Sequence, residues 1–367
     1  MASEMLYPVM PIYLRSIGYS ALVIGILEGV AEATAGLSKG YFGMMSDRVG
    51  RRVPFVRLGY LLSAISKPLM VVMSAPLWVL GARVVDRLGK GVRTGARDAM
   101  LSAEAKPENK GRIFGLHRSM DTFGAVVGPA LALAWLAWRP GDNTTMFVLA
   151  IVPGMAAVGL TLLVRERAAS APSVLRPSLR SLLHYWKCSP HAYRRLLISV
   201  LPFVVFNSSD LFLLMKARDA GMSDSASIGV YILYNLVFAL FAYPLGIVAD
   251  RIGLKRMFIM GLALFAAVYV GIAVTHEYWV IALLFAGYGI YAAATEGVVK
   301  ALICVIVPER EAATAVGTFA SLQSVSALVA SVTAGALWVS IGAETTFLVT
   351  AFMAGLAALM VGLSVRT

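Results

Sequence analysis

The sequence predicts an all-α membrane protein with about twelve transmembrane helices in two pseudo-symmetric six-helix bundles, and three observations lead there. First, 59% of the 367 residues are hydrophobic and 14% charged, with a mean hydropathy of +0.78, too little polar surface to coat a globule of this size. Second, apolar runs recur at about 20 residues, the length that crosses a hydrocarbon core as helix. Helix is the form expected, because an open sheet would leave its edge unpaired in lipid. Third, the chain repeats itself. "GMMSDRVGRR" from Gly43 is echoed by "GIVADRIGLKR" from Gly246, each between the second and third spans of its half, and "SEML" from Ser3 is echoed by "SDLF" from Ser209.

Hydropathy places the spans in order. Span 1, 2–15, is short and stops at the turn around Gly18; span 2, 20–44, runs into the charged link of Asp47, Arg48, Arg51 and Arg52. Span 3, 54–74, and span 4, 76–98, are separated by "MSAPL", which carries no Lys or Arg. Span 5, 112–138, follows Lys106, Lys110 and Arg112, and span 6, 145–164, ends at Arg165. The second half has span 7, 195–216, and span 8, 226–249, which ends at Arg251, Lys255 and Arg256. Span 9, 256–274, and span 10, 278–303, meet at "THEY"; span 11, 312–338, and span 12, 345–365, meet at "IGAET". The links "MSAPL", "THEY" and "IGAET" carry no Lys or Arg, whereas those around Arg48, Lys106, Arg165 and Arg251 are cationic. By the positive-inside rule the cationic set and both termini are cytoplasmic, in a multi-pass protein of the cell membrane, a bacterial inner membrane. The one long link contains the basic, amphipathic "SLRSLLHYWK", suited to lie on the inner leaflet. The domains read as a bundle over 1–164, a cytoplasmic linker over 165–194 and a second bundle over 195–367.

The net charge of +12 does not point to nucleic acid, because Lys and Arg are scattered over short links without a basic domain or stacking aromatics. Cys188 and Cys304 stand alone, and His117, His184, His191 and His276 form no ligand motif, so no disulfide framework, metal or cofactor is expected. "MASEMLYPVM" lacks the basic region that precedes the apolar core of a cleavable signal.

The link between spans 2 and 3 resembles, position by position, the signature loop of the major facilitator superfamily, in Gly43, Asp47, Arg48, Gly50, Arg51 and Arg52. Glycines allow close approach and a tight turn, and the acid suits the positive N-terminus of a helix. The resemblance covers the whole chain and implies the major facilitator fold, with this loop and its echo at Asp250 and Arg251 acting as a cytoplasmic gating latch. Two further family motifs appear with departures. In "RVVDRLGKG", Arg83, Gly89 and Gly91 match, whereas Asp86 and Arg87 stand where the family has Gln and Gly. In "GAVVGPALAL", Gly124, Gly128 and Pro129 match the antiporter-type motif, but Ala132 and Leu133 replace its terminal glycine pair, and a small-residue packing seam is the alternative reading. The repeat pairs Met1 with Asn207, which leaves the first helix without a counterpart to "RLLISVLPFVVF". A truncated helix 1, short of about a dozen residues, is therefore expected.

Charge inside the spans is the sharpest functional signal, since each ionisable group at the bilayer centre costs roughly 2.5–3.5 kcal/mol on insertion scales. Span 4 carries Arg83, Asp86, Arg87, Lys90, Arg93, Arg97 and Asp98, all within an arc of roughly 140°. In the family's fold, helices 1, 4, 7 and 10 line the central cavity, and here they hold Glu4, this stripe, Asp210, and Glu296 with Lys300. Span 2 adds Glu28, Glu32 and Lys39, and span 5 adds His117, Arg118 and Asp121. The substrate-binding candidates are Arg83, Arg87, Lys90, Arg93, Glu296 and Lys300. Glu4, Glu28, Glu32, Asp121 and Asp210 are proton-coupling candidates, because a desolvated carboxyl holds its proton more readily than one in water. Simple charge neutralisation, with Asp86, Asp98 and Asp121 pairing the nearby cations, is the competing account. Lys67 in span 3 is expected to snorkel to the outer surface.

These features imply a monomeric secondary active transporter in contact with membrane lipids, not an enzyme. It would move a small polar solute, anionic or zwitterionic, by proton-coupled antiport and efflux. An importer of an organic anion coupled to proton symport is the alternative. A membrane receptor or enzyme would need a sizeable soluble domain or a nucleophile and base, and the sequence offers neither.

Overall fold

The structure is a computed structural model that describes residues 2–6, 10, 13–14, 17–139, 142–166, 179–207 and 210–364, nearly all of them helical and none in a strand. In the first half the helices are α1 (Ala2–Leu6), α2 (Ala21–Val49), α3 (Val53–Val72), α4 (Pro76–Glu104), α5 (Lys110–Trp138), α6 (Asn143–Leu149) and α7 (Ile151–Leu163). The linker's amphipathic segment forms α8 (Leu179–Cys188). The second half holds α9 (His191–Phe206), α10 (Asp210–Asp219), α11 (Asp224–Ile252), α12 (Leu254–Val274), α13 (Tyr278–Ile306), α14 (Ala312–Ile341) and α15 (Ala343–Ser364). Eight stretches among the described residues are long and apolar enough to cross a membrane. Helix α4, interrupted by Arg83, Asp86, Arg87, Lys90 and Arg93, is not among them.

Local chemistry sets the helix ends. Ser20 and Ser223 accept from Val23 N and Ala226 N at 3.3 and 3.2 Å, and so cap α2 and α11. Asp142 caps α6, and its hydrogen bonds from Thr145 hold its carboxyl below the usual range. At the two repeated links, α2 and α11 end on Gly50 (φ 70°) and Gly253 (φ 99°), left-handed values that a side chain would resist.

One expectation changes. Span 7 reads as a single helix over 195–216, yet α9 stops at Phe206, Asn207 is extended (φ −74°, ψ 104°), and α10 starts at Asp210. The physical reason lies in the run Asn207-Ser208-Ser209-Asp210. Asn, Ser and Asp as residue types compete for backbone hydrogen bonds and so favour helix caps over helix interiors. A break of this kind inside a membrane helix is tolerated where it is buried in protein or lines a cavity.

The described chain divides into two compact units. The first comprises Met1–Met100, Gly124–Lys187 and Pro308–Ser324; the second comprises Leu101–Phe123, Cys188–Val307 and Val325–Thr367. In the first, Met5, Leu6, Tyr13, Leu14, Met70 and Phe147 form an apolar core, with Tyr13 OH donating to Met70 O at 3.2 Å. Its other helices meet along small residues. A Cβ on Gly43 would collide with Ala313 O, and one on Gly89 would lie 2.6 Å from Gly59 O. Gly43→Ala is therefore expected to lower the melting temperature of the purified protein, in line with an overpacking cost of about 1–3 kcal/mol. An unchanged melting temperature would show that this seam opens without cost. The second unit is built on aromatic packing, in which Phe203, Tyr269 and Tyr291 contact Phe265 at 4.9, 4.0 and 4.6 Å between centroids.

Candidate functional site

In the first unit the charged stripe of α4 faces protein, as a lipid-averse face must. Arg83, Asp86 and Arg87 are all buried. Asp86 is the centre of one cluster. Its Oδ1 accepts from Lys67 Nζ at 2.8 Å and its Oδ2 lies 3.7 Å from Arg83, while Lys67 also donates to Ser63 O at 2.6 Å and to Ser3 Oγ at 3.1 Å. Lys67 therefore does not snorkel: it is 1% exposed. A carboxylate one helix away, with Ser63 O and Ser3 Oγ, satisfies the ammonium inside, so it does not need to reach the surface.

The second cluster lies further along the stripe. Arg87 pairs with Glu32 of α2 at 2.9 Å, and the charges acting on Lys90 are Arg87, Glu32, Glu4 and Arg93. Helices α1, α2 and α4 thus bring two acids and three cations together. Glu32 remains accessible, its side chain 47% exposed, whereas Arg87 is nearly covered at 10%. Arg93 stacks over Tyr60 at 4.6 Å and donates to Ser63 Oγ at 2.8 Å. The side chain of Glu28 lies outside the described residues.

The repeated link does the same job twice. Asp47, 3% exposed, accepts through Oδ2 from Thr314 N at 2.7 Å and Thr314 Oγ1 at 2.8 Å, in the first turn of α14. Arg52, 3.8 Å from Asp47, donates to Ala99 O and Glu309 O, each at 3.0 Å. In the second unit Asp250 accepts from Gly111 N at 2.7 Å and Arg112 N at 2.8 Å, at the start of α5. Each acid occupies the positive end of a long helix. Arg48, Arg51 and Arg251 are exposed.

A family model described as the Major Facilitator Superfamily matches residues 1–238 and again 211–367. The chain belongs to this superfamily. An uncharacterised MFS-type transporter of Methanocaldococcus jannaschii is 32% identical over 98% of this chain and 91% of its own length. The multidrug resistance protein MdtH of Cronobacter sakazakii is 34% identical, over 34% of this chain and 30% of its own. Among solved structures, the Escherichia coli fucose:proton symporter FucP has a similar fold at TM-score 0.83 and 11% identity, covering 100% of this chain and 95% of that one. The human organic anion transporter MFSD10 has a TM-score of 0.80 at 17% identity, covering 98% and 95%. The protein is accordingly a multi-pass membrane transporter of the major facilitator superfamily.

In this superfamily member's second unit, Arg118 of α5 pairs with Asp121 at 3.1 Å and with Glu296 of α13, and lies 5.5 Å over the Phe238 ring. Lys300 sits half-buried one turn beyond Glu296. Asp210 opens α10 and accepts from Tyr288 OH at 2.8 Å. Gly128 is buried and Pro129 sits inside α5, which continues through it. The neutralisation account has support here, because Asp86, Asp98 and Asp121 each face a cation. Sequence reasoning missed Glu166, whose two carboxylate oxygens cap α3 by accepting from Arg52 N and Val53 N, each at 2.9 Å. It also missed Thr314 and Tyr288. No spacing rule links residues so distant in sequence, but a hydroxyl in the first turn of a helix and a tyrosine near an intramembrane acid are recognisable in retrospect.

Proposed function

We propose that the protein is a proton-coupled secondary active transporter that moves a small polar solute, anionic or zwitterionic, out of the cell by alternating access. The observation that carries this reading is the cluster of Arg87, Lys90 and Arg93 with Glu32 and Glu4, in which an accessible carboxylate holds a nearly covered guanidinium. A solute anion competes with Glu32 for Arg87 and Lys90. A solute that also bears a cationic group competes with the proton for Glu32, so solute and proton occupy the site in turn, as exchange requires. Glu28, Asp121 and Asp210 are further proton carriers in this scheme; Glu296 and Lys300 are candidate substrate contacts of the second unit, and Arg83 serves the first through its pairing with Asp86. The antiporter-type Gly124, Gly128 and Pro129 and the local likeness to MdtH support export by antiport. The transporter acts as a monomer in the inner membrane, with its Lys- and Arg-bearing links and both termini in the cytoplasm.

One observation favours a second reading. If a proton on Glu32 frees Arg87 for a solute anion, proton and anion bind together, and the result is symport of an organic anion. Counterflow in oriented proteoliposomes under an imposed pH gradient separates the two: acid outside drives antiporter solute outward and symporter solute inward. In either case Arg87→Gln and Lys90→Gln should each lower transport at least about tenfold while the protein still purifies as a folded species. Full transport by both variants would remove this cluster from the solute path.

A further inference from the structure

The second unit holds a carboxylate set against phenols. Tyr288, which hydrogen-bonds to Asp210, stacks with Tyr234 at 4.9 Å and 30° and with Tyr291 at 5.5 Å and 27°. Tyr234 and Tyr291 thus each pack directly on the ring whose hydroxyl holds Asp210. Asp210 and Tyr291 are half-buried, so the cluster keeps an accessible edge. Neighbouring rings already host one cation, since Arg118 lies over Phe238, which is itself 6.2 Å from Tyr234. That cation is matched by two carboxylates, Asp121 and Glu296. Among the described residues no ion pair reaches Asp210.

A carboxylate set among aromatic rings places a negative charge beside several π-systems, and both attract a cation. The kind of cation follows from the lining. A small metal ion needs several oxygen ligands to replace its water, and the described residues form no cluster of metal-ligating side chains here. An alkylammonium is weakly hydrated, carries apolar substituents that pack on ring faces, and needs one counter-charge. We propose that Asp210, with Tyr288, Tyr234 and Tyr291, is a binding site for an alkylammonium group, the cationic end of the transported solute. The assignment rests on the transport reading above and narrows its solute to one that carries such a group.

The test uses the purified full-length protein in lipid nanodiscs and two probes: choline, and its uncharged isostere in which a tert-butyl group replaces the trimethylammonium. Calorimetric titration should show choline binding and the isostere binding at least about tenfold more weakly. Asp210→Asn should weaken choline by more than about tenfold, and Tyr288→Phe, which keeps the ring and loses the hydroxyl, by a few-fold. If Asp210→Asn does not fold, the probe pair and Tyr288→Phe decide the matter alone. Equal binding of the two probes, or choline binding unaffected by the variants that fold, overturns the site. Flux is measured separately in proteoliposomes. Choline binding without flux of any solute counts against the transport reading and leaves the site standing. Flux of a solute by a protein that does not bind choline leaves transport standing and overturns the site.

Discussion

Asp86→Asn is expected to be the most damaging single change in the first unit, with a loss of about 3–5 kcal/mol, the usual consequence of removing one partner from a buried ion pair. The carboxylate is shared by Lys67 at 2.8 Å and Arg83 at 3.7 Å, and all three groups are buried. Neutralising it leaves two cations facing an amide. Lys67→Met should be milder, because Arg83 and Asp86 remain as a balanced pair. The double variant, with one cation fewer, should melt above Asp86→Asn alone, and the difference measures the coupling of the two sites. Thermal melting in detergent, with monodispersity checked by gel filtration, reads all three. If Asp86→Asn melts with the unaltered protein, this carboxylate does not hold the cluster together. The contrast with Arg87→Gln is informative, since that change is expected to remove transport and spare folding. The stripe on α4 would then be scaffold at its Asp86 end and site at its Arg87 end.

The two charged clusters along α4 are only half legible in the sequence. The stripe itself is, because seven charged residues at helical spacing within an apolar run must share a face away from lipid. The partners are not, since pairing depends on which neighbouring helix presents which residue at the same depth. Lys67 is the clearest case. A lone lysine in an apolar span reads as a snorkelling residue, and only the crossing of α3 and α4 at Gly59 and Gly89 brings it to Asp86. The break between α9 and α10 had a visible cause in Asn207 and Asp210, but average hydropathy over a window hides four polar residues between two apolar runs. The repeat was the most informative feature of the sequence. It placed Asp47 and Asp250 in equivalent positions, and both carboxylates accept hydrogen bonds at the start of a long helix.

Asp47→Asn is expected to shift the balance between inward-open and outward-open forms while leaving solute affinity nearly unchanged. The side chain keeps its size and one acceptor, so the hydrogen bond from Thr314 N survives in weaker form. What disappears is the charge, together with its attraction for the positive end of α14 and for Arg52 at 3.8 Å. A hydrogen bond to a charged group is worth about 1.5–3 kcal/mol and a neutral one about 0.5–1.5 kcal/mol. The difference, about 1–2 kcal/mol, corresponds to a change of about 5–30-fold in a two-state ratio. Such a change is large enough to see as altered labelling of single cysteines by an impermeant thiol reagent applied to each face. The background for these cysteines must first lose Cys188, which is exposed, and preferably also the buried Cys304. Asp250→Asn removes the equivalent charge from the start of α5 in the second unit, with both carboxylate oxygens engaged. Its effect should be of similar size, and the two should add if each acid acts only on its own helix. Unchanged labelling on both faces, together with weakened solute binding, would mean that Asp47 serves the solute and not the conformational balance.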